Sequence, residues 1–166
     1  MKIGACTALH AKMLDMVKKI ALGADHAGFE EKEKVKKTLD ELGIAYEDMG
    51  TMTPESVDYP DYAQKVAESV ANGKYEQGLL VCGSGTGMAI AANKVKGVRA
   101  AVAWTPEIAA LSRQHNDANI LSLPARFLNE SDSAAVVKAF FEADFEGGRH
   151  ERRVDKIKGL EDADFK

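Results

Sequence analysis

Disulfide chemistry is the first thing this sequence lacks. Its 166 residues hold two cysteines, Cys6 and Cys82, too few for a stapled framework and at no metal-type spacing, so a reducing cytoplasm is the expected setting. Long apolar runs are absent as well. None approaches the roughly 20 residues that a membrane span requires, and the chain reads as soluble. Positive charge is not in excess: Lys and Arg number 22 against 26 Asp and Glu, a formal net charge of -4. Both signs are mixed along the chain, which argues against a nucleic-acid footprint or a polybasic membrane patch. A small-molecule partner is the expectation. The four histidines fall at no ligand spacing with one another, with Cys82 or with Asp25, so no metal is expected. Internal repeats and low-complexity stretches are missing, and the length fits one domain with a sizeable core.

Residues 1–17 read as an N-terminal extension outside that core. His10, Lys12 and Asp15 interrupt what would have to be the apolar segment of an export signal. Leu9, Met13, Met16 and Val17 share a helical face, which would suit an appended amphipathic helix. An expression remnant or an upstream start codon explains the tract at least as well, because Lys18-Lys19-Ile20-Ala21-Leu22 already makes a natural first strand. The domain is therefore placed at 18–166, and neither Cys6 nor His10 is given a role.

From there, short apolar strands alternate with amphipathic helices. The first strand ends in Asp25-His26-Ala27-Gly28, and a helix over 29–42 sets Val35, Leu39 and Leu42 at helical spacing, with charge on its other faces and Gly43 as its terminal cap. A second strand covers 44–48, and a loop runs through 50–60. Asp61 is the expected cap of a helix that turns Tyr62, Val66 and Val70 inward. Strand three is 78–81. A strand over 98–104 leads to a helix with Thr105 as N-cap and Pro106 in its first turn, ending near Gln114. A strand at 119–123, a helix at 132–143 and a charged last helix from Arg149 complete the chain. Five strands with crossover-length connections predict a Rossmann-like, doubly wound α/β domain, a three-layer αβα sandwich around a parallel sheet. Ligands of such sheets bind beyond the carboxyl ends of the strands. Asp25, His26, residues 82–87 and the loop after Trp104 should gather there, and His115-Asn116 is expected to share that edge.

One stretch concentrates the chemistry: Leu79-Leu80-Val81-Cys82-Gly83-Ser84-Gly85-Thr86-Gly87-Met88. It reads as strand, tight turn and helix start, where backbone amides converge and favour an anion. A glycine-rich connection made only for close packing is the plainer reading. The loop is neither a Walker sequence, which needs Gly-Lys-Ser/Thr, nor the dinucleotide fingerprint of a first strand, so nucleotide cofactors are disfavoured. Cys82, facing those amides, can act as base or nucleophile; it could equally be a small buried core residue. Arg149 and Arg153, one helical turn apart, form a fork suited to a phosphate dianion, although Glu151 and Asp155 would also fit a solvated charged face. A serine hydrolase built on Ser84, His115 and Asp25 is weak, because Cys82 stands where Gly-x-Ser-x-Gly needs its first glycine. A module that binds a sugar phosphate without turning it over is the other alternative.

Six segments carry a resemblance. Gly23-Ala24-Asp25-His26-Ala27-Gly28, Asp58-Tyr59-Pro60, Cys82-Gly83-Ser84-Gly85-Thr86-Gly87, Ala91-Ala92-Asn93-Lys94, Ser112-Arg113-Gln114-His115-Asn116-Asp117 and Gly147-Gly148-Arg149-His150 together resemble the B-type ribose-5-phosphate isomerases. That family also holds galactose-6-phosphate isomerase subunits. The likeness spans about Lys18 to the last helix. It implies an aldose-ketose isomerase of carbohydrate metabolism that interconverts ribose 5-phosphate and ribulose 5-phosphate through an enediolate, with no metal and no organic cofactor. By this resemblance Cys82 is the base, the amides of Gly83, Gly85, Thr86 and Gly87 hold the enediolate oxygen, and Ser84 assists. His115 is the ring-opening acid and Asp25 holds ring hydroxyls. His26, Arg149 and Arg153 take the phosphate, and Asn116 and Arg126 complete the pocket. Some relatives use a glutamate at the position of Met88; methionine cannot take a proton, so the burden here falls on Cys82. The block around His115 points to the ribose branch, with allose 6-phosphate as an alternative substrate. A homodimer with shared sites, its arginine-bearing helix exchanged between partners, is implied too, in some members as a dimer of dimers.

Overall fold

Strand β1 (Lys19–Ala24) is buried from its second residue onward, and β3 (Gly78–Cys82) and β5 (Ile120–Pro124) are buried throughout. Continuous burial marks strands covered on both faces. β2 (Ala45–Asp48) and β4 (Ala100–Val102) are half-buried and form the edges of a five-stranded sheet in the order β2-β1-β3-β5-β4, every pair parallel. The computed structural model describes residues 18–163. The extension at 1–17 and its proposed amphipathic helix lie outside the described residues.

Among the described residues five helices pack on the sheet, α1 (Phe29–Glu41), α2 (Tyr59–Ala71), α3 (Thr86–Ala92), α4 (Pro106–Asn116) and α5 (Glu130–Glu142), and a sixth, α6 (Arg149–Glu161), rests on α4. The period of two along each strand decides what each layer receives. Ile20, Leu22, Leu79, Val81, Leu121 and Leu123 join Val35, Leu39, Val136 and Phe140 in one core, while Ala21, Leu80 and Cys82 join Val66, Val70 and Met88 in the other. Helices α1 and α5 therefore lie on one face and α2 and α3 on the other, the expected three-layer sandwich. The connections leave β1 toward β2 and β3 toward β5 and β4, so the order reverses between β1 and β3. That crevice is where sheets of this type bind ligands.

Several boundaries differ from the sequence reading, each for a local reason. Asp58, not Asp61, occupies the N-cap of α2, because Pro60 fits the helix's first turn without needing its missing N–H. α5 starts at Glu130, with the Asn129 side chain accepting from the Asp132 N–H at 2.9 Å. β4 spans only three residues, having a single neighbour to pair with. α4 runs on through Asn116, so His115 sits inside its last turn rather than beyond it. Thr105 does cap α4, accepting from the Ile108 N–H at 3.2 Å. Lys32, expected on a charged face of α1, is completely buried. No described helix is long and apolar enough to cross a membrane.

Candidate active site

At the carboxyl ends of β1 and β3 two loops meet backbone to backbone. A Cβ on Gly28 would stand 2.1 Å from the Val81 carbonyl oxygen, so only glycine lets the loops approach this closely. Buried Asp25 accepts the Gly28 N–H at 2.9 Å through Oδ1, closing the turn that presents His26. The His26 Nδ1 lies 3.2 Å from both the amide nitrogen and the carbonyl oxygen of Val57, an anchor that uses one ring nitrogen and leaves Nε2 for a ligand. The segment supplying Val57 is itself tied down from below. Lys32 Nζ donates to Asp48 Oδ2 and to the Thr51 carbonyl, both at 2.7 Å. Burial alone would raise the pKa of Asp48, but the Lys32 and Lys36 ammoniums and the Gly50 amide hold it below the usual carboxylate value.

Cys82, 6% exposed, ends β3 and opens the loop. Gly85 adopts the left-handed backbone (φ 73) that glycine accepts without strain, and its carbonyl accepts from Ser122 Oγ at 2.6 Å. The carbonyls of Cys82 and Gly83 accept the N–H groups of Ala125 and Arg126 at 2.9 and 3.0 Å. The loop's carbonyls are thus engaged while its donors are not: among the described residues the amides of Gly83, Ser84 and Gly85 reach no protein acceptor, and that of Thr86 reaches only Ser84 Oγ at 3.4 Å. Unengaged amides around a left-handed residue form an anion-holding concavity. α3 has seven residues, so these amides, more than a helix dipole, supply the field. The Arg126 side chain lies 3.2 Å from where a Gly83 Cβ would be, and the Tyr59 ring 2.8 Å from the Gly87 equivalent. A cavity of about 420 Å³ opens alongside, lined by Ser84, Thr86, Val102, Trp104, Pro124 and Phe127.

His115 and Asn116 lie at the other edge of the sheet. A helix joining parallel strands must return the chain to the start of the next strand, so the last turn of α4 lies beside the amino ends of the strands. There Gly78, the first residue of β3, donates its N–H to the Asn119 carbonyl at 2.9 Å. The expected common edge for His115, Asp25 and Cys82 is therefore corrected, and no single chain assembles a Ser84-His115-Asp25 relay. His115 stacks on His150, ring centroids 4.1 Å apart and planes 4° from parallel. Glu146 Oε2 lies 3.9 Å from the His115 Nε2 and 3.6 Å from the His150 Nε2, and Arg149 Nε donates to His150 Nε2 at 3.3 Å. Burial first, then the neighbouring His115 and Arg149, hold the His150 pKa below the ordinary imidazole value. These three groups are close enough to suggest a metal site, yet parallel rings send their lone pairs along separate lines, and a shared ion would need one ring to swing away. Arg149 and Arg153 project from α6 into solvent.

The two edges thus divide the candidate residues. Asp25, His26, Cys82, Gly83, Ser84, Gly85, Thr86, Gly87 and Arg126 belong to the carboxyl edge; His115, Asn116, Arg149 and Arg153 belong to the amino edge and α6. The sequence reading gave no role to Tyr59, Lys32, Glu146 or His150. Two of these left a signal. Lys32 shares the helical face of Val35 and Leu39, and His150 stands one turn before buried Val154.

Comparison with known proteins bears on this arrangement. Residues 20–157 match the ribose/galactose isomerase family. The chain is 46% identical over 145 residues to ribose-5-phosphate isomerase B of Escherichia coli (strain K12), covering 87% of this chain and 97% of that protein. A ribose-5-phosphate isomerase B structure from Clostridium thermocellum superposes with a TM-score of 0.85 at 45% identity, over 87% of this chain and 97% of that one. One from Mycoplasma genitalium, with bound ribulose-5-phosphate, gives 0.85 at 41% identity over 90% and 99%.

Proposed function

The chain belongs to the ribose/galactose isomerase family, and on that footing we propose that it interconverts ribose 5-phosphate and ribulose 5-phosphate, with Cys82 as base and His115 as ring-opening acid. The observation that carries this reading is the set of unengaged amides beside Cys82. His115 donates a proton to the ring oxygen of the furanose as the C1–O4 bond breaks, the O1 hydroxyl gives its proton to water, and the open-chain aldehyde results. Cys82 then takes the proton from C2. The C–H electron pair becomes the C1–C2 double bond and the carbonyl pair moves to O1, giving an enediolate whose negative oxygen faces the amides of residues 83–87, each donor of this kind typically contributing about 3 kcal/mol. Return of the proton to C1, with the O2 proton passing to O1, yields the ketose. Every electron pair stays within the substrate, so the step requires no redox cofactor. Ser84 and Asp25 hold substrate hydroxyls, Asn116 and Arg126 close the pocket, and His26, Arg149 and Arg153 hold the phosphate.

The two halves lie on opposite edges of the sheet, so the complete site is shared between two copies, the second supplying His115, Asn116 and α6 to the first copy's Cys82. Trp104 and Phe127, 55% and 73% exposed around one cavity beside Ser84, support such pairing, because contiguous exposed apolar surface favours a partner. In the described chain α6 rests on its own α4, with Val154 buried, so its arginines travel with His115 as one unit. The test is transfer of solvent deuterium into C1 of ribulose 5-phosphate together with net conversion to the aldose. An isomerase gives both, whereas a binding module gives neither.

A further inference from the structure

We infer that Arg99, Arg113 and Asp117 form a clamp that positions His115, a role that rests on the reading of His115 as ring-opening acid. The end of a helix leaves its last carbonyls without partners and tends to fray, and here the two residues that must meet the sugar stand in the final turn. Asp117 follows them with φ 47 and ψ 42, a left-handed conformation and the only positive φ outside glycine among the described residues. Such a backbone is unfavourable for most residues with a side chain and less so for Asp, whose short polar side chain can hydrogen-bond locally.

What holds it is two guanidinium groups closing on one carboxylate. Arg113 Nη1, one turn back on α4, donates to Asp117 Oδ1 at 2.9 Å and to the Ala118 carbonyl at 2.7 Å. Arg99, just before β4, donates from Nη2 to Asp117 Oδ2 at 2.9 Å, and its Nε lies 3.1 and 3.0 Å from the carbonyl oxygens of Asn116 and Asp117. The terminal carbonyls of α4 are thereby occupied from a neighbouring element. Arg99 is fixed in turn, its own N–H donating to Asn119 Oδ1 at 2.8 Å. Both arginine side chains are 13% exposed, so the network lies beneath the surface that carries His115. It touches no candidate substrate-binding side chain directly. Arg99, Arg113 and Asp117 are positioning residues.

The chemistry of the two substrates separates this role from general stability. Phosphorylation of O5 leaves ribulose 5-phosphate no hydroxyl with which to close a furanose, so hydrogen exchange at its C1 needs the base but not the ring-opening acid. Asp117→Gly keeps a residue at ease with positive φ while removing the carboxylate. A misplaced His115 is expected to lower ribose 5-phosphate turnover by about 10- to 100-fold, with C1 exchange of ribulose 5-phosphate kept within about twofold. Arg99→Lys, which retains charge but not the fork, should move the same ratio in the same direction; it serves as the readout should Asp117→Gly fail to fold. Equal loss of turnover and exchange in a folded variant, or wild-type turnover in Asp117→Gly, overturns the clamp. His115→Ala run alongside separates the two layers: if it loses exchange in step with turnover, the ring-opening role itself is wrong, whereas a shifted ratio there with none in the clamp variants refutes the clamp alone.

Discussion

Cys82 and the loop after it are held largely by backbone contacts, while His115 is held by other side chains and Arg149 and Arg153 project into solvent. At the carboxyl edge, Gly28 and Gly85 allow contacts that a Cβ would forbid, Ser122 and the amides of Ala125 and Arg126 hold the loop's carbonyls, and the thiol is almost inaccessible. At the amino edge, His115 is 35% exposed on its side chain and rests on His150, with ion pairs beneath. Proton transfer between adjacent carbons depends on sub-ångström placement of the base and of the oxyanion donors; capturing a phosphate dianion, whose charge is spread over several oxygens, tolerates longer and more mobile arms. On the proposed reading the rigid half carries the proton transfer between C2 and C1, while the other half carries ring opening through His115 and the two arginines that reach the phosphate.

Substitutions that touch one half only should separate the two contributions. The largest effect is expected from Cys82→Ala, with turnover and C1 hydrogen exchange both falling by about 10²- to 10⁴-fold while the thermal transition stays close to wild type; steady-state rates and melting curves read this directly. If exchange survives, proton transfer does not belong to the rigid half. Next is Arg149→Ala, where loss of a charge-assisted phosphate contact should raise KM about 10- to 100-fold and leave kcat nearly unchanged. A fall confined to kcat would place Arg149 in the chemical step instead. The smallest effect concerns His150. Because its folded pKa is lowered, the unfolded chain binds its proton more readily, so the contribution to stability is complete above the ordinary imidazole value of about 6.5 and is lost as pH falls from there through the lowered folded value. His150→Phe, which keeps a stacking ring, should remove that part of the pH dependence. Denaturant unfolding at pH 7.5 and pH 5.5 compares the two proteins, and equal slopes with pH would refute the assignment.

Much of the rigid half was legible in the sequence because its signals are local. Glycines alternate with hydroxyls directly after an apolar strand, and an acid-imidazole pair ends the first strand. The other half was legible as a set of residues and not as a place. His115-Asn116-Asp117 looks like a polar tip in either register, and only the direction of the helix between two parallel strands decides which edge it reaches. That rule was available from the alternation of elements, and applying it to α4 would have moved His115 away from Cys82. Burial of Lys32 was harder to foresee, since a lysine among Glu31, Glu33 and Lys34 reads as solvated surface; it is buried because Asp48 and the Thr51 carbonyl lie across from it. The length of β4 was overestimated for a different reason. An apolar run over 98–104 records burial, and only the part that finds a partner strand becomes sheet.

The most direct test of a site shared between two copies is mixing. Cys82→Ala and His115→Ala proteins, each inactive alone, are combined under conditions that exchange subunits, and ribose 5-phosphate turnover is followed with hybrid formation confirmed by differently sized tags. In a hybrid, the intact Cys82 of one chain meets the intact His115 of the other, so random pairing should restore about a quarter of the wild-type rate. Hybrids that form and remain inactive would contradict the shared site.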